Sequence, residues 1–233
     1  MSEKEIKYNA TIKLLLELQD KMNKVVDENW VELNRDWCRA IWIESAELMD
    51  HLSWKWWKKQ TPDVEQMHLE LVDILHFGLS DMIVQANISD LTWEVVADRA
   101  SRDITNAYLI ERLVDEITDL EYARKVIENF TLKIIQNKRF DYYEFTCLCN
   151  TLGLTFAKLS SMYISKNVLN IFRQNNGYKD GTYEKTWFGK EDNVHLMEIF
   201  NEVNDSEESD MFNSIYSKLD DIYTKHLIRE VPV

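Results

Sequence analysis

The chain has 233 residues, 45% apolar and 29% charged, with 27 basic against 41 acidic side chains and a net charge of −14. That is long enough for a sizeable core and has the profile of a soluble globular protein, while the acidic balance argues against polymeric nucleic acid or an anionic membrane as partner. No apolar run approaches the roughly 20 residues that span a bilayer. The charged start, Met1-Ser2-Glu3-Lys4-Glu5, does not read as a signal peptide. Cys38, Cys147 and Cys149 are too few and too irregular for a disulfide framework or a zinc site, so a reducing cytoplasm is the expected setting.

Only five glycines and two prolines occur. Turns draw on both, so a β-rich fold is excluded and an all-α fold of long helices in a single domain, residues 1–233, is expected. In chain order, a first helix is predicted from Glu3 to Asn29, where Ile6, Ala10, Leu15, Leu18 and Met22 recur at helical spacing. A second is predicted from Asn34 to Lys59. Thr61-Pro62-Asp63 then reads as a helix start, with Thr61 as cap and Pro62 at the first helical position. The third helix carries Val64, Met67, Leu71, Leu75 and Leu79. Residues 87–102 give no clear pattern. Helix resumes from Tyr108 through Asn137, and again from Tyr142 to Asn175 with an interruption near Gly153. Gln174 to Asn193 holds Gly177, Gly181 and Gly189 and is predicted as an irregular loop. Two short helices follow, Val194–Val203 and Met211–Lys225, joined by the polar linker Asn204–Glu208.

Two acidic pairs carry the chemistry. Glu44 and Glu47 lie three apart, as do Glu70 and Asp73, and each pair shares a helix face within apolar sequence. A lone Glu-x-x-Glu is ordinarily a solvated face. Two pairs on successive helices are another matter, because packed antiparallel they converge, and converging anions require protons or cations. An all-oxygen set suits a hard divalent ion, Mg²⁺ above all. Such an ion also lets an acidic protein hold a polyanionic ligand.

A second cluster follows from the Lys166–Lys179 segment. Lys166, Asn170 and Arg173 are spaced by four and three and share a face; Asn176, Tyr178, Lys179 and Lys185 come after. These donors suit phosphate oxygens, and a Gly-bearing loop beside them can close over a ligand. No P-loop motif is present. A third cluster, Trp54-Lys55-Trp56-Trp57-Lys58-Lys59, offers aromatic planes for a base, although such tryptophans are more often core or interface.

Together these features resemble the dimeric all-α dUTPases, within the helical superfamily of MazG-like nucleotide pyrophosphatases. The matching elements are Glu44-Ser45-Ala46-Glu47 and Glu70-Leu71-Val72-Asp73, the Trp54-Lys55-Trp56-Trp57-Lys58 run, the stretch Lys166 to Tyr178 with Lys179-Asp180-Gly181 after it, and Leu18-Gln19 to Asn23. The acidic quartet specifies only the superfamily; the Lys166 run points to the dUTPase branch. The resemblance implies a four-helix metal-binding core and hydrolysis of dUTP to dUMP and pyrophosphate, with dUDP as a further substrate. It implies that Glu44, Glu47, Glu70 and Asp73 hold Mg²⁺, with Glu44 or Glu47 acting on the attacking water. Lys166, Arg173, Asn176, Tyr178, Lys179 and Lys185 would meet the phosphates. Gln19, Asn23 and Trp57 would border uracil, and Asn170, His76 and Phe77 the deoxyribose. A homodimer is implied by the resemblance alone. The rival readings are a broad-specificity MazG-like pyrophosphatase, a di-iron bundle suggested by Asp73-x-x-His76, and a non-catalytic helical nucleotide or partner binder.

Overall fold

The computed structural model describes residues 2–110, 117, 119–203 and 208–230. Among them are nine α-helices: α1 (Glu3–Val26), α2 (Trp37–Asp50), α3 (Val64–Ile88), α4 (Trp93–Ile110), α5 (Leu120–Asn137), α6 (Tyr142–Thr151), α7 (Phe156–Asn175), α8 (Asp192–Val203) and α9 (Glu208–Glu230). A 3₁₀ turn, Trp30–Leu33, follows α1. The described strands are the two-residue β1 (Thr186–Trp187) and β2 (Lys190–Glu191), so the fold is all-α as the glycine and proline counts imply. None of the described helices is long and apolar enough to cross a membrane. The chain forms two compact units, one of Met1–Asp20 with Val31–Ser160, the other of Lys21–Trp30 with Ser161–Val233.

In the first unit, α3 is the central helix. Met67, Leu69, Leu71, Val72, Ile74, Leu75 and Leu79 are all buried, so apolar residues cover most of its circumference rather than one stripe. It packs most extensively on α2, whose Trp37, Cys38, Ile41 and Leu48 are buried. α2 also meets α5, and α4 meets α6. The Asp63 N–H donates to the His51 carbonyl at 3.0 Å, tying the end of α2 to the start of α3. The two helices therefore run antiparallel. Just past the middle of α3, Gly78 faces the Phe140 ring; a Cβ at this position would lie 2.6 Å from that ring.

In the second unit, α8 packs on α9, and both pack with the β hairpin around Val168, Leu169, Phe172, Trp187, Ile199 and Ile215. Trp187 is wholly buried and donates its indole N–H to the Glu184 carbonyl at 2.7 Å. Phe188 and Gly189 both take positive φ, 51° and 78°, the conformation a two-residue hairpin turn of type I′ requires.

Several boundaries differ from those predicted. The first helix ends at Val26 rather than Asn29; the chain turns into the 3₁₀ segment and buries Trp30. The second ends at Asp50, not Lys59. Ser53 takes a φ of 56°, and the Asp50 carboxylate accepts from the Trp54 indole (2.8 Å) and the Lys55 ammonium (2.7 Å), folding the chain back on the helix end. These bonds hold the Asp50 carboxyl below its usual range, Lys55 contributing most. The cap of α3 is Asp63, whose carboxylate accepts the Gln66 N–H at 3.1 Å, not Thr61. Residues 87–102, without a clear pattern, end α3 and begin α4. The helix predicted from Tyr108 through Asn137 is α5 from Leu120 onward, capped by Asp119; α4 accounts for its first residues, and residues 111–116 and 118 of that stretch lie outside the described residues. The interruption near Gly153 is present, with Gly153 at a φ of 72° between α6 and α7. The loop predicted over 174–193 contains the hairpin and the start of α8. Of the polar linker Asn204–Glu208, residues 204–207 lie outside the described residues.

Candidate functional site

The acidic cluster belongs to the first unit. α2 presents Glu44 and Glu47 one turn apart, and the antiparallel α3 brings Glu70 against them; one carboxylate oxygen from each lies within 4.8 Å of the others. Glu70 is buried, Glu44 partly buried and Glu47 exposed. Two like charges at that separation repel by about 1 kcal/mol in bulk water and about 3.5 kcal/mol at an effective dielectric of 20. Three carboxylates that close thus favour a cation among them, and a set made only of oxygens fits a hard divalent ion. Asp73, one turn further along α3 and partly buried, is not among the three that converge.

His51 joins this cluster, its Nε2 lying 3.4 Å from Glu70 Oε1. Sequence reasoning missed it, although it stands four residues after Glu47 on the same helical register.

The cationic cluster belongs to the second unit. Lys166 and Arg173, on one face of α7, are 2% and 8% exposed. Their charges meet the first turn of α8. Arg173 donates Nε–H and Nη2–H to the two oxygens of Asp192, each at 2.8 Å, and Nη1–H to Asn170 Oδ1 at 3.2 Å. Asn193 Oδ1 accepts from Lys166 Nζ at 3.0 Å and from Arg173 Nη2 at 3.3 Å. The Tyr183 hydroxyl donates to Asp192 Oδ2 at 2.8 Å. Burial alone would raise the Asp192 carboxyl, but the Arg173 bonds and charge, helped by Tyr183 and Lys166, outweigh it and hold the group below its usual range. Burial, then the adjacent Asp192 charge, pushes the Tyr183 hydroxyl far up, so it stays protonated and donates.

Of the other predicted phosphate contacts, Tyr178 lies beside Arg173. The Tyr178 ring is half-exposed, with the Arg173 guanidinium 5.8 Å and the Lys185 ammonium 6.0 Å from its centre. Lys179 Nζ donates to the Val26 carbonyl at 2.9 Å, and Asn176 Nδ2 to the Phe172 carbonyl at 2.9 Å. Gly177 takes a φ of +89°, and a Cβ there would stand 2.0 Å from Thr182 Oγ1, so this turn requires glycine.

The residues expected at the base and sugar are divided between the units. Gln19 is buried in the first and donates Nε2–H to Ser80 Oγ at 3.0 Å, while Ser80 donates to the His76 carbonyl at 2.9 Å. The buried His76 donates Nδ1–H to the Val72 carbonyl at 2.8 Å, which fixes its tautomer. Phe77 stacks on Trp37 with ring centres 6.2 Å apart. Trp57 is 56% exposed and meets Trp54 and Trp56 edge-on at 5.1 and 5.4 Å. Asn23, buried, belongs to the second unit. Sequence reasoning also missed Asp192, Asn193 and Tyr183; the signal for the first two was an acid and an amide directly before an apolar helical run.

No curated protein matches the chain. The family model described as dUTPase matches residues 11–178, most of the chain, from within α1 to Tyr178. That stretch contains the acidic cluster, the tryptophan run and the α7 cations; Lys179, Lys185 and Asp192 lie beyond its end. An all-α fold, carboxylates converging from successive helices, and this match agree: the chain belongs to the helical dUTPase family and is a dUTP diphosphatase.

Proposed function

We propose that the enzyme hydrolyses dUTP to dUMP and pyrophosphate in a Mg²⁺-dependent reaction, and also converts dUDP to dUMP and phosphate. The observation that carries the metal dependence is the approach of Glu44, Glu47 and Glu70 oxygens to within 4.8 Å. Those three side chains, with Asp73 one turn away, would hold the ion. When bound, Mg²⁺ offsets phosphate charge and makes water more acidic. Glu44, partly buried, orients the attacking water and takes its proton on a carboxylate oxygen. Glu47 and Glu70 would supply further carboxylate oxygens and negative charge for the ion. His51 Nε2 restrains Glu70.

The side chains proposed for the phosphates are Lys166, Arg173, Tyr178, Lys179, Lys185 and Asn176, with guanidinium and ammonium donors offsetting charge on the leaving group. Gln19, Asn23 and Trp57 are proposed for uracil, and Asn170, His76 and Phe77 for the sugar. Amide groups that bond the uracil edge reject cytosine by mismatch, whereas excluding the thymine methyl is worth only about 1–3 kcal/mol. A panel of dUTP, dUDP, dCTP and dTTP tests specificity. The proposal expects dUTP and dUDP to be cleaved far faster than the other two. Comparable rates on all four would replace it with broad, MazG-like action. A cytoplasmic homodimer is proposed on family grounds, and sedimentation of the purified chain tests the dimer.

A further inference from the structure

We infer that Asp192 is a positioning residue, fixing the guanidinium plane of Arg173 so that the cation faces the nucleotide phosphates in one orientation. The inference rests on the reading of Arg173 as a phosphate contact. Asp192 is 1% exposed and accepts three hydrogen bonds, all at 2.8 Å, two from the Arg173 fork and one from the Tyr183 hydroxyl. A guanidinium carries its donors in a rigid plane. Once its Nε and Nη2 edge is docked on a carboxylate, the direction of the Nη1 side is set as well, and Asn170 Oδ1 meets it at 3.2 Å.

Asp192 is itself held. It opens α8, and three residues on, Asn193 having taken up Lys166 and Arg173, His195 Nε2–H donates to the Trp187 carbonyl at 3.0 Å with the two rings stacked at 5.4 Å. Trp187 is wholly buried. The frame that places Asp192 is therefore the core of the second unit rather than a surface loop. An arginine otherwise loses rotamer freedom when a ligand arrives; here that ordering is complete beforehand, as an effective anion site requires.

Two other roles make opposite predictions. A carboxylate serving only as a counter-ion competes with phosphate for Arg173, so its removal would tighten anion binding. A purely structural pair would lower thermal stability and leave anion binding alone. The test uses the full chain with Mg²⁺ present and measures calorimetric binding of inorganic pyrophosphate, kcat and KM for dUTP, and Tm. It compares wild type, Asp192→Asn, Arg173→Lys and the double variant. Positioning predicts that Asp192→Asn weakens pyrophosphate binding about tenfold or more, a cost of about 1.4 kcal/mol. It also predicts that the same substitution changes binding less than about twofold in the Arg173→Lys background, where there is no fork to orient. Should Asp192→Asn fail to fold, Tyr183→Phe replaces it; removing one of the three bonds is expected to weaken binding about threefold. Unchanged or tighter binding in a folded variant overturns the inference, as does a wild-type chain that does not bind pyrophosphate. A wild type that binds pyrophosphate yet leaves dUTP intact defeats the functional reading alone.

Discussion

Replacing Glu70 with Gln should make the metal-free protein more stable and the enzyme inactive. Glu70 has a carboxylate oxygen within 4.8 Å of one on Glu44 and one on Glu47, so the substitution removes two like-charge pairs. Each pair costs about 1 kcal/mol in water and about 3.5 kcal/mol at an effective dielectric of 20. Glu47 is exposed, so the low end applies to its pair. The substitution also removes the Glu70 carboxylate from beside the partly exposed His51 Nε2, 3.4 Å away, a contact worth at most about 1 kcal/mol. The balance is a relief on the order of 2 kcal/mol, which for a chain of this size raises Tm by about 4–8 °C. Calorimetric scans in EDTA measure this. In Mg²⁺ at about a hundred times its dissociation constant, wild type should gain about 2.7 kcal/mol and the variant much less. Turnover of dUTP should fall at least about a hundredfold, as expected when a group holding the catalytic ion is neutralised. A Glu70→Gln protein that is less stable than wild type in EDTA, and still gains stability from Mg²⁺, would mean that repulsion within this cluster does not govern its stability and that Glu70 does not hold the ion.

Gly78→Ala pushes a methyl to within 2.6 Å of the buried Phe140 ring; the overpacking, about 1–3 kcal/mol, should exceed the helix-propensity gain of about 1 kcal/mol, and urea denaturation should show a lower midpoint. The depressed Asp192 carboxyl has a linked effect on pH stability. Its folded pKa lies below the unfolded value near 3.8, so its contribution is complete above that value and is lost as pH falls below it. Asp192→Asn should therefore flatten the acid limb of stability below about pH 4, and pH-dependent unfolding compared between the two proteins checks this.

The buried helices were legible because their apolar residues recur at helical spacing, as Met67, Leu71 and Leu75 do on α3. The acidic cluster was legible for the same reason: two i, i+3 pairs on successive helices need only antiparallel packing to meet. Its membership was less so. Asp73 satisfies the spacing but lies outside the converging trio, and His51, four residues after Glu47 at the cap of α2, was overlooked. The end of α2 was hidden because residues 51–59 contain neither Gly nor Pro. The chain leaves the helix there through side-chain bonds to Asp50, which spacing does not reveal. Thr61 and Asp63 both offer capping side chains, and only the backbone geometry separates them. The α7 cations were found from their spacing, but their partner was not. Asp192 stands 19 residues from Arg173, across a hairpin of two-residue strands, a separation at which no local pattern signals pairing.

The most direct measurement of the central claim is product analysis with purified protein and dUTP, in Mg²⁺ and after exhaustive metal removal. With Mg²⁺, dUMP and pyrophosphate should form in equal amounts; turnover should stop without the ion and recover when Mg²⁺ is restored. Turnover that survives metal removal, or no cleavage of dUTP with Mg²⁺ present, would contradict the claim.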